Sequence, residues 1–235
     1  MRSPMKHSLI NPVSKNEVVA EYLASSYEFS SFERAKWGSI ESQQGRFLFA
    51  LKKLDFSKMK LWLDLGCGEG DFFELAECNS MRFELMHGVD ITPTMIIKAQ
   101  EKTFSNPVQF TVSDLESLPE SVSGYDLVTL IGVLQQCGMI PANVFKVINR
   151  TLKTNGILYL TTKNIDWDQF TSGILKPVTS HSWFDYQDLE KELVINGFEI
   201  VEAAGLDPIN ILDIPMYKSH TMYIIARKIR ENNND

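Results

Sequence analysis

The chain has 235 residues, 44% of them hydrophobic and 23% charged, ordinary proportions for a soluble globule and enough to bury one large core. A formal net charge of −7 argues against a general affinity for nucleic acid or an anionic membrane, because phosphate contacts need a surplus of Lys and Arg. Cys67, Cys78 and Cys137 have no metal-ligand or disulfide-framework spacing, and free thiols suit a reducing compartment. Met1 to His7 contain no apolar leader core, and no apolar run is long enough to span a bilayer, so a cytoplasmic location is expected.

In chain order, residues 1–16 read as a flexible lead. A helix is predicted over 17–29, with Val18, Tyr22 and Phe29 on one face. The segment from Trp37 to Phe47 opens a second helix whose core stripe is Phe47, Leu51 and Leu54. Strand 60–65 runs into Gly66, Gly68 and Gly70, then helix 70–78. Strand 83–89 stops at Asp90, and Thr92-Pro93 open helix 93–103 as an N-cap followed by proline. Strand 108–112 ends near Asp114 and Leu115, and strand 125–131 ends at Gly132. Helix 141–152 carries Val144, Ile148 and Leu152 as its apolar stripe, followed by strand 156–162. The last helix starts at Asp185 with Asp188 three residues on, Phe184 and Leu189 are placed as a staple, and Gly197 follows its end. Strands 198–201 and 222–226 complete the pattern, and 229–235 form a flexible tail. The basic run Arg227 to Arg230 reads as a solvated end.

Alternating strands and helices imply an α/β fold, a doubly wound parallel sheet with helices on both faces. One domain is expected over 17–228, with 17–56 as a helical unit and 60–228 as the core. No internal repeat or second domain is visible.

A glycine turn between the first strand and its helix is where open α/β sheets bind nucleotides. The third glycine of a dinucleotide fingerprint falls on Asp71, which disfavours a nicotinamide oxidoreductase, and no Gly-Lys-Ser/Thr phosphate cradle follows. Glu69, Asp71, Glu74 and Glu77 favour the positive helix end but would repel a diphosphate there. A cationic nucleoside without phosphate suits this turn better. S-adenosylmethionine has both properties.

The run from Leu61 to Gly70, with Asp90, Asp114 and the fourth strand in order behind it, resembles the class I S-adenosylmethionine-dependent methyltransferases. The resemblance extends from about Trp37 to about Arg227 and is sharpest from Leu61 to Gly138. It implies a Rossmann-like, mostly parallel seven-stranded sheet whose last strand is antiparallel beside the sixth, with an N-terminal helical lid. It also implies S-adenosyl-L-methionine as cofactor. Gly66, Gly68 and Gly70 would wrap the methionine half, Asp90 would hold ribose and Asp114 would reach the adenine amino group. Asp64, Cys67, Ile91, Leu115, Ile131 and Gly132 flank those positions and complete the implied cofactor set. Arg46 would offer its planar fork to the methionine carboxylate, or else stand as a solvated helix charge.

The acceptor side is less explicit. The irregular stretch Lys163 to Trp183 concentrates Trp167, Phe170, His181 and Trp183. Either it folds over the cleft as an apolar acceptor pocket or its tryptophans cover the sheet edge. His181 is the candidate base, given an ordinary pKa of about 6.5. Gln136 stands where several relatives carry a histidine, leaving amide hydrogen bonding to an acceptor. No metal set is predicted. A small organic acceptor, methylated on O, N or C, is the reading; tRNA or protein methylation and a non-catalytic cofactor-binding subunit are the rivals. The chain is expected to be a monomer or homodimer.

Overall fold

A computed structural model of the protein describes residues 8–10, 13–136 and 138–229. Helices α1 (Lys15–Ser25), α2 (Ser31–Arg34) and α3 (Ile40–Lys53) precede the sheet. Strands β1 (Leu61–Leu65), β2 (Leu85–Asp90), β3 (Val108–Val112), β4 (Tyr125–Ile131) and β5 (Leu152–Lys163) alternate with α4 (Asp71–Cys78), α5 (Pro93–Glu101) and α6 (Pro141–Thr151). Helices α7 (Asp168–Thr171) and α8 (Tyr186–Ile195) lead to β6 (Phe198–Asp207), β7 (Leu212–Ile214) and β8 (Thr221–Lys228).

The strand order is β3-β2-β1-β4-β5-β8-β6-β7. The first five strands pair in parallel, and β8 lies antiparallel between β5 and β6. This is the expected Rossmann-like arrangement with one addition. The chain after β6 turns back as β7, a three-residue edge strand that gives the sheet eight members rather than seven.

Because side chains alternate across a strand, a sheet covered on both faces needs apolar residues at consecutive positions. Trp62 and Leu63 show the consequence. Trp62, Leu127, Tyr159 and Tyr223 pack under Phe47, Phe49, Phe72 and Phe73 of α3 and α4. Leu63, Val128, Leu158 and Ile224 face the opposite layer, where Val144, Phe145 and Ile148 of α6 meet Leu189 and Leu193 of α8. Serine N-caps start the entry helices: the Ser14 and Ser30 hydroxyls accept from the Glu17 and Glu33 amides, and each glutamate accepts back from its cap. Asp185 caps α8 as expected.

Four expectations need correction. Helix α1 ends at Ser25, and Phe29 is 98% exposed rather than on a buried face. No residue of α1 is buried, so Val18 and Tyr22 serve a cavity instead of the core. Residues 8–10 of the supposed lead are anchored: Leu9 exchanges backbone hydrogen bonds of 2.7 and 2.8 Å with Trp183, and Ser8 donates to Asp188. Residues 1–7 and 230–235 lie outside the described residues, as does Cys137. Lys228 is not a solvated basic end. It is buried and donates to the Asn149 and Leu152 carbonyls at 2.7 and 2.8 Å. Among the described residues, no helix is long and apolar enough to cross a membrane.

Candidate active site

The carboxyl ends of β1, β2, β3 and β4 share one edge of the sheet, and a cavity of about 250 Å³ opens above it. Gly66, Gly68, Asp90, Ile91, Asp114, Leu115, Ile131 and Gly132 line it from below. Helix α1 and the segment Ala35 to Trp37 roof it, and Gln136, Met139 and His181 close the far end. The order of the strands explains the convergence. Residues distant in sequence meet because parallel strands all deliver their ends to one side.

The glycine turn is held by its neighbour strand. Gly66 and Cys67 amides donate to the Val89 carbonyl at 2.7 and 3.1 Å. The Gly68 amide donates to Asp90 Oδ2 at 3.0 Å, and the Thr92 amide donates to Asp90 Oδ1 at 2.8 Å. Asp90 therefore orders the turn and caps the chain into α5, a task the sequence suggested for the Thr92 side chain. Burial pushes the Asp90 carboxyl above the usual aspartate range, and the two amides oppose that shift. Each carboxylate oxygen keeps a lone pair for a vicinal diol. Gly66, Gly68 and Gly70 all have positive φ, of 75°, 54° and 74°. A Cβ on Gly68 would meet nothing within 4 Å, so the turn presents bare backbone to the cavity.

A smaller adjoining cavity of about 40 Å³ lies beneath Trp37, between Gln43, Asp64, Cys67, Glu69 and Asp71. Asp64 Oδ1 accepts from the Thr129 hydroxyl at 2.5 Å, and Trp62 Nε1 donates to that hydroxyl's oxygen, Thr129 Oγ1, at 2.8 Å. Burial pushes the Asp64 carboxyl up to about 7. A buried acid-rich recess of this kind suits an ammonium group. Glu69 is already clamped by Arg34 through Nε and Nη2 at 2.5 and 2.7 Å. Asp71 and Glu74 share Lys102.

The roof is fastened by charge. Lys15 Nζ donates to Asp114 Oδ2 at 2.7 Å and also pairs with Glu116, while the Glu116 amide donates to Asp114 Oδ1 at 3.0 Å. Tyr22 Oη accepts from Gln136 Nε2 at 2.8 Å. Lys36 pairs with Glu21 at 2.5 Å. Lys15, Tyr22 and Lys36 are residues that sequence reasoning missed. Tyr22 was signalled only by amphipathic spacing, which reads the same for a core face and a cavity face, and Lys15 and Lys36 carried no signal.

Five predicted site residues lie elsewhere. Gly70 does not line the cavity; its Cα faces the Phe110 and Phe104 rings. Arg46 is 5% exposed and not a solvated charge. Its terminal nitrogens donate to the Ser42 carbonyl at 2.7 Å and to Thr221 Oγ1 at 3.3 Å, and its guanidinium lies 4.9 Å above the Trp37 ring. Trp37, not Arg46, reaches the cavity. Trp167, Phe170 and Trp183 stack edge-on with one another at 5.1 and 4.8 Å and cover the ends of β5 and β8, where Trp167 meets His220 at 5.4 Å. From that loop only Ser180 and His181 enter the lining.

The match to known proteins decides the family. Residues 56–224 match the model of a methyltransferase domain. The chain belongs to the class I S-adenosylmethionine-dependent methyltransferases. It is 32% identical over 103 residues to human methyltransferase-like protein 27, a stretch covering 44% of this chain and 40% of that one. It is 26% identical over 160 residues to a ubiquinone biosynthesis O-methyltransferase of Marinobacter nauticus, covering 61% of this chain and 66% of that one. The chain thus spans less than two thirds of either relative's length. The magnesium protoporphyrin IX methyltransferase of Synechocystis, solved with bound S-adenosylhomocysteine, shares the fold at a TM-score of 0.60 and 19% identity, over 91% of this chain and 95% of that one.

The family is one of methyl-transferring enzymes that use S-adenosyl-L-methionine. The residues fit that group. Gly68 leaves bare backbone, Asp90 offers two acceptor oxygens, and the Asp64 recess has the acidic lining a cation would need.

The Asp64 recess gives a pH test with a definite sign. An acid whose folded pKa is raised from 3.8 to about 7 costs stability as pH rises through that window, because the folded state must release a proton it would keep. A ligand ammonium reverses that preference by favouring the ionised carboxylate. S-adenosylhomocysteine should therefore bind more tightly at pH 7.5 than at pH 6 in calorimetry. Asp64→Asn should flatten that slope; a slope unchanged in the variant would place the ammonium elsewhere.

Proposed function

We propose that the enzyme transfers its methyl group to a small organic acceptor that enters the roofed chamber beside His181. The supporting observation is the roof itself. Helix α1 and Ala35 to Trp37 lie over part of the cavity, a partly covered shape that suits a small acceptor better than tRNA or a protein segment. The net charge of −7 points the same way, as does a roof whose lysines are already paired with acids.

S-adenosylmethionine, when bound, supplies an electrophilic methyl group on a sulfonium. The chain's own residues bind and align. Gly66 and Gly68 bring backbone against the ligand, Asp90 accepts from ribose, and Asp114 accepts from the adenine amino group beside Lys15. Ile91, Leu115, Ile131 and Gly132 wall the nucleoside, and Cys67 packs beneath the turn. Alignment of the acceptor's lone pair with the breaking bond contributes much of the acceleration. Gln136, fixed by Tyr22, has its carbonyl free to accept from an acceptor hydroxyl or amine.

His181 is the proton acceptor in this reading. Burial, then Lys163 and Lys36, lower its pKa below the usual histidine value, so the imidazole is neutral at pH 7. Its Nδ1 lies 3.1 Å from Ser180 Oγ, which leaves Nε2 for an acceptor proton. A base works only when deprotonated, so the rate should fall on the acid side of its pKa. His181→Gln should lower kcat and remove that limb while leaving S-adenosylhomocysteine affinity unchanged. A variant with the native pH profile takes His181 out of the chemistry.

The experiment for the whole reading is incubation of the pure protein with methyl-labelled cofactor and fractions of a cell extract. Label in small molecules is expected. Label confined to RNA or protein would move the acceptor to those classes, and no label anywhere would favour a cofactor-holding subunit.

A further inference from the structure

The aromatic loop that misses the cofactor cavity surrounds a group of cations that the cofactor does not need. Lys163 ends β5, and Thr221 stands opposite it in the antiparallel register with β8. Thr221 Oγ1 accepts from Arg46 Nη2 at 3.3 Å and lies 2.8 Å from His220 Nδ1. Lys163 Nζ sits 5.5 Å from the centre of the Trp183 ring, within cation–π range. Among the described residues, no carboxylate forms an ion pair with Lys163, Arg46 or His220. Buried charges are ordinarily paired, so Lys163 and Arg46, two cations without a carboxylate partner beside a neutral imidazole, are an arrangement awaiting an anion. Burial and the Arg46 charge bring the Lys163 amine down to about 8, and burial with Lys163 and Arg46 brings His220 down to about 4.

The cluster adjoins the reaction chamber: Thr161, two residues before Lys163 on β5, accepts from the Gly132 amide at 3.1 Å, the Ser182 amide donates to the Gln135 carbonyl at 2.8 Å, and Gly132 and Gln135 both line that chamber. We propose that Lys163, seated on Trp183 beside Thr221 and His220, binds a carboxylate carried by the methyl acceptor. This rests on the small-acceptor reading and names the acceptor's chemical class. The other carboxylate in reach of the site belongs to the cofactor's amino-acid end. The ammonium of that end fits the acid-rich recess beside Asp64, whose lining includes none of Lys163, His181 or His220, and the cofactor titration below distinguishes its carboxylate from the acceptor's.

The test is calorimetry on full-length protein in two stages. S-adenosylhomocysteine is titrated first. The saturated complex is then titrated with matched acids and primary amides: hexanoate and hexanamide, benzoate and benzamide, 3-phenylpropionate and its amide. At least one acid should bind about tenfold or more tighter than its amide, the contribution of a hydrogen bond to a charged group. Lys163→Met should erase the preference, and Lys163→Arg should restore it. Removing an unpaired buried cation should leave Tm unchanged or raise it, so Lys163→Met is expected to fold. His220→Gln, which keeps much of the bulk and loses the imidazole, provides a second variant with a smaller expected loss. Equal affinity for acid and amide in every pair overturns the inference while leaving the cofactor reading intact. Loss of S-adenosylhomocysteine affinity in Lys163→Met would assign the cluster to the cofactor's carboxylate and also overturn it. Failure of the wild type to bind S-adenosylhomocysteine would remove the cofactor reading, and this inference with it.

Discussion

Gly68→Val is expected to abolish cofactor binding while leaving a folded protein. Gly68 has φ of 54°, where an L residue with a branched side chain costs on the order of 1–3 kcal/mol. That strain is affordable because a Cβ there would meet no protein atom within 4 Å. The open direction is the cavity itself, so the isopropyl group would occupy ligand space. Calorimetry with S-adenosylhomocysteine should show no heat of binding, and thermal melting should show one cooperative transition at modestly reduced Tm. Gly66→Ala is the contrast. Its Cβ would lie 2.2 Å from Val133 Cγ2, so damage there falls on the fold before the ligand. Native affinity in folded Gly68→Val would mean that the turn does not face the cofactor.

Asp90→Ala should weaken S-adenosylhomocysteine by about 1.5–3 kcal/mol, the range for hydrogen bonds to a charged acceptor. That corresponds to a loss between about tenfold and 150-fold. The loss has two sources. The ribose hydroxyls lose a bidentate acceptor, and the amides of Gly68 and Thr92 lose the carboxylate that fixes them at 3.0 and 2.8 Å. Asp90→Asn separates them, because an amide oxygen can still accept from one backbone amide while the charge is gone. The asparagine variant should retain more stability than the alanine variant and bind only slightly better. Unchanged affinity in both would contradict the ribose assignment.

Much of the fold was legible because strong local signals agreed with it. Strands 108–112 and 125–131 lie where apolar runs bounded by turn residues put them, and α8 begins at its aspartate cap. Strand β5 starts four residues earlier than its apolar run, at Leu152, because Leu152 pairs with Tyr125 across a bulge that periodicity does not register. Phe29 shows the limit in the other direction. Its spacing fits a helical face, yet the helix stops at Ser25, so spacing without packing says nothing about burial. The added strand β7 was hidden because Leu206 to Tyr217 carries no alternation of its own and is recruited by the edge of β6.

The chain's order of residues determined which strand ends and glycines line the cavity proposed for the cofactor. Glycines with positive φ and acids at strand ends are local necessities, and parallel strands bring such ends together wherever they fall in sequence. Tertiary packing alone decided the rest. Only in three dimensions does Lys15 reach Asp114, does Trp37 displace Arg46 from the cavity wall, and does Trp183 lie over Lys163 with Phe170 and Trp167 packed behind it. The physical reason is that a lysine, an arginine and a tryptophan have no position-specific backbone signature, so their roles depend on which neighbours the folded chain brings within a few ångströms.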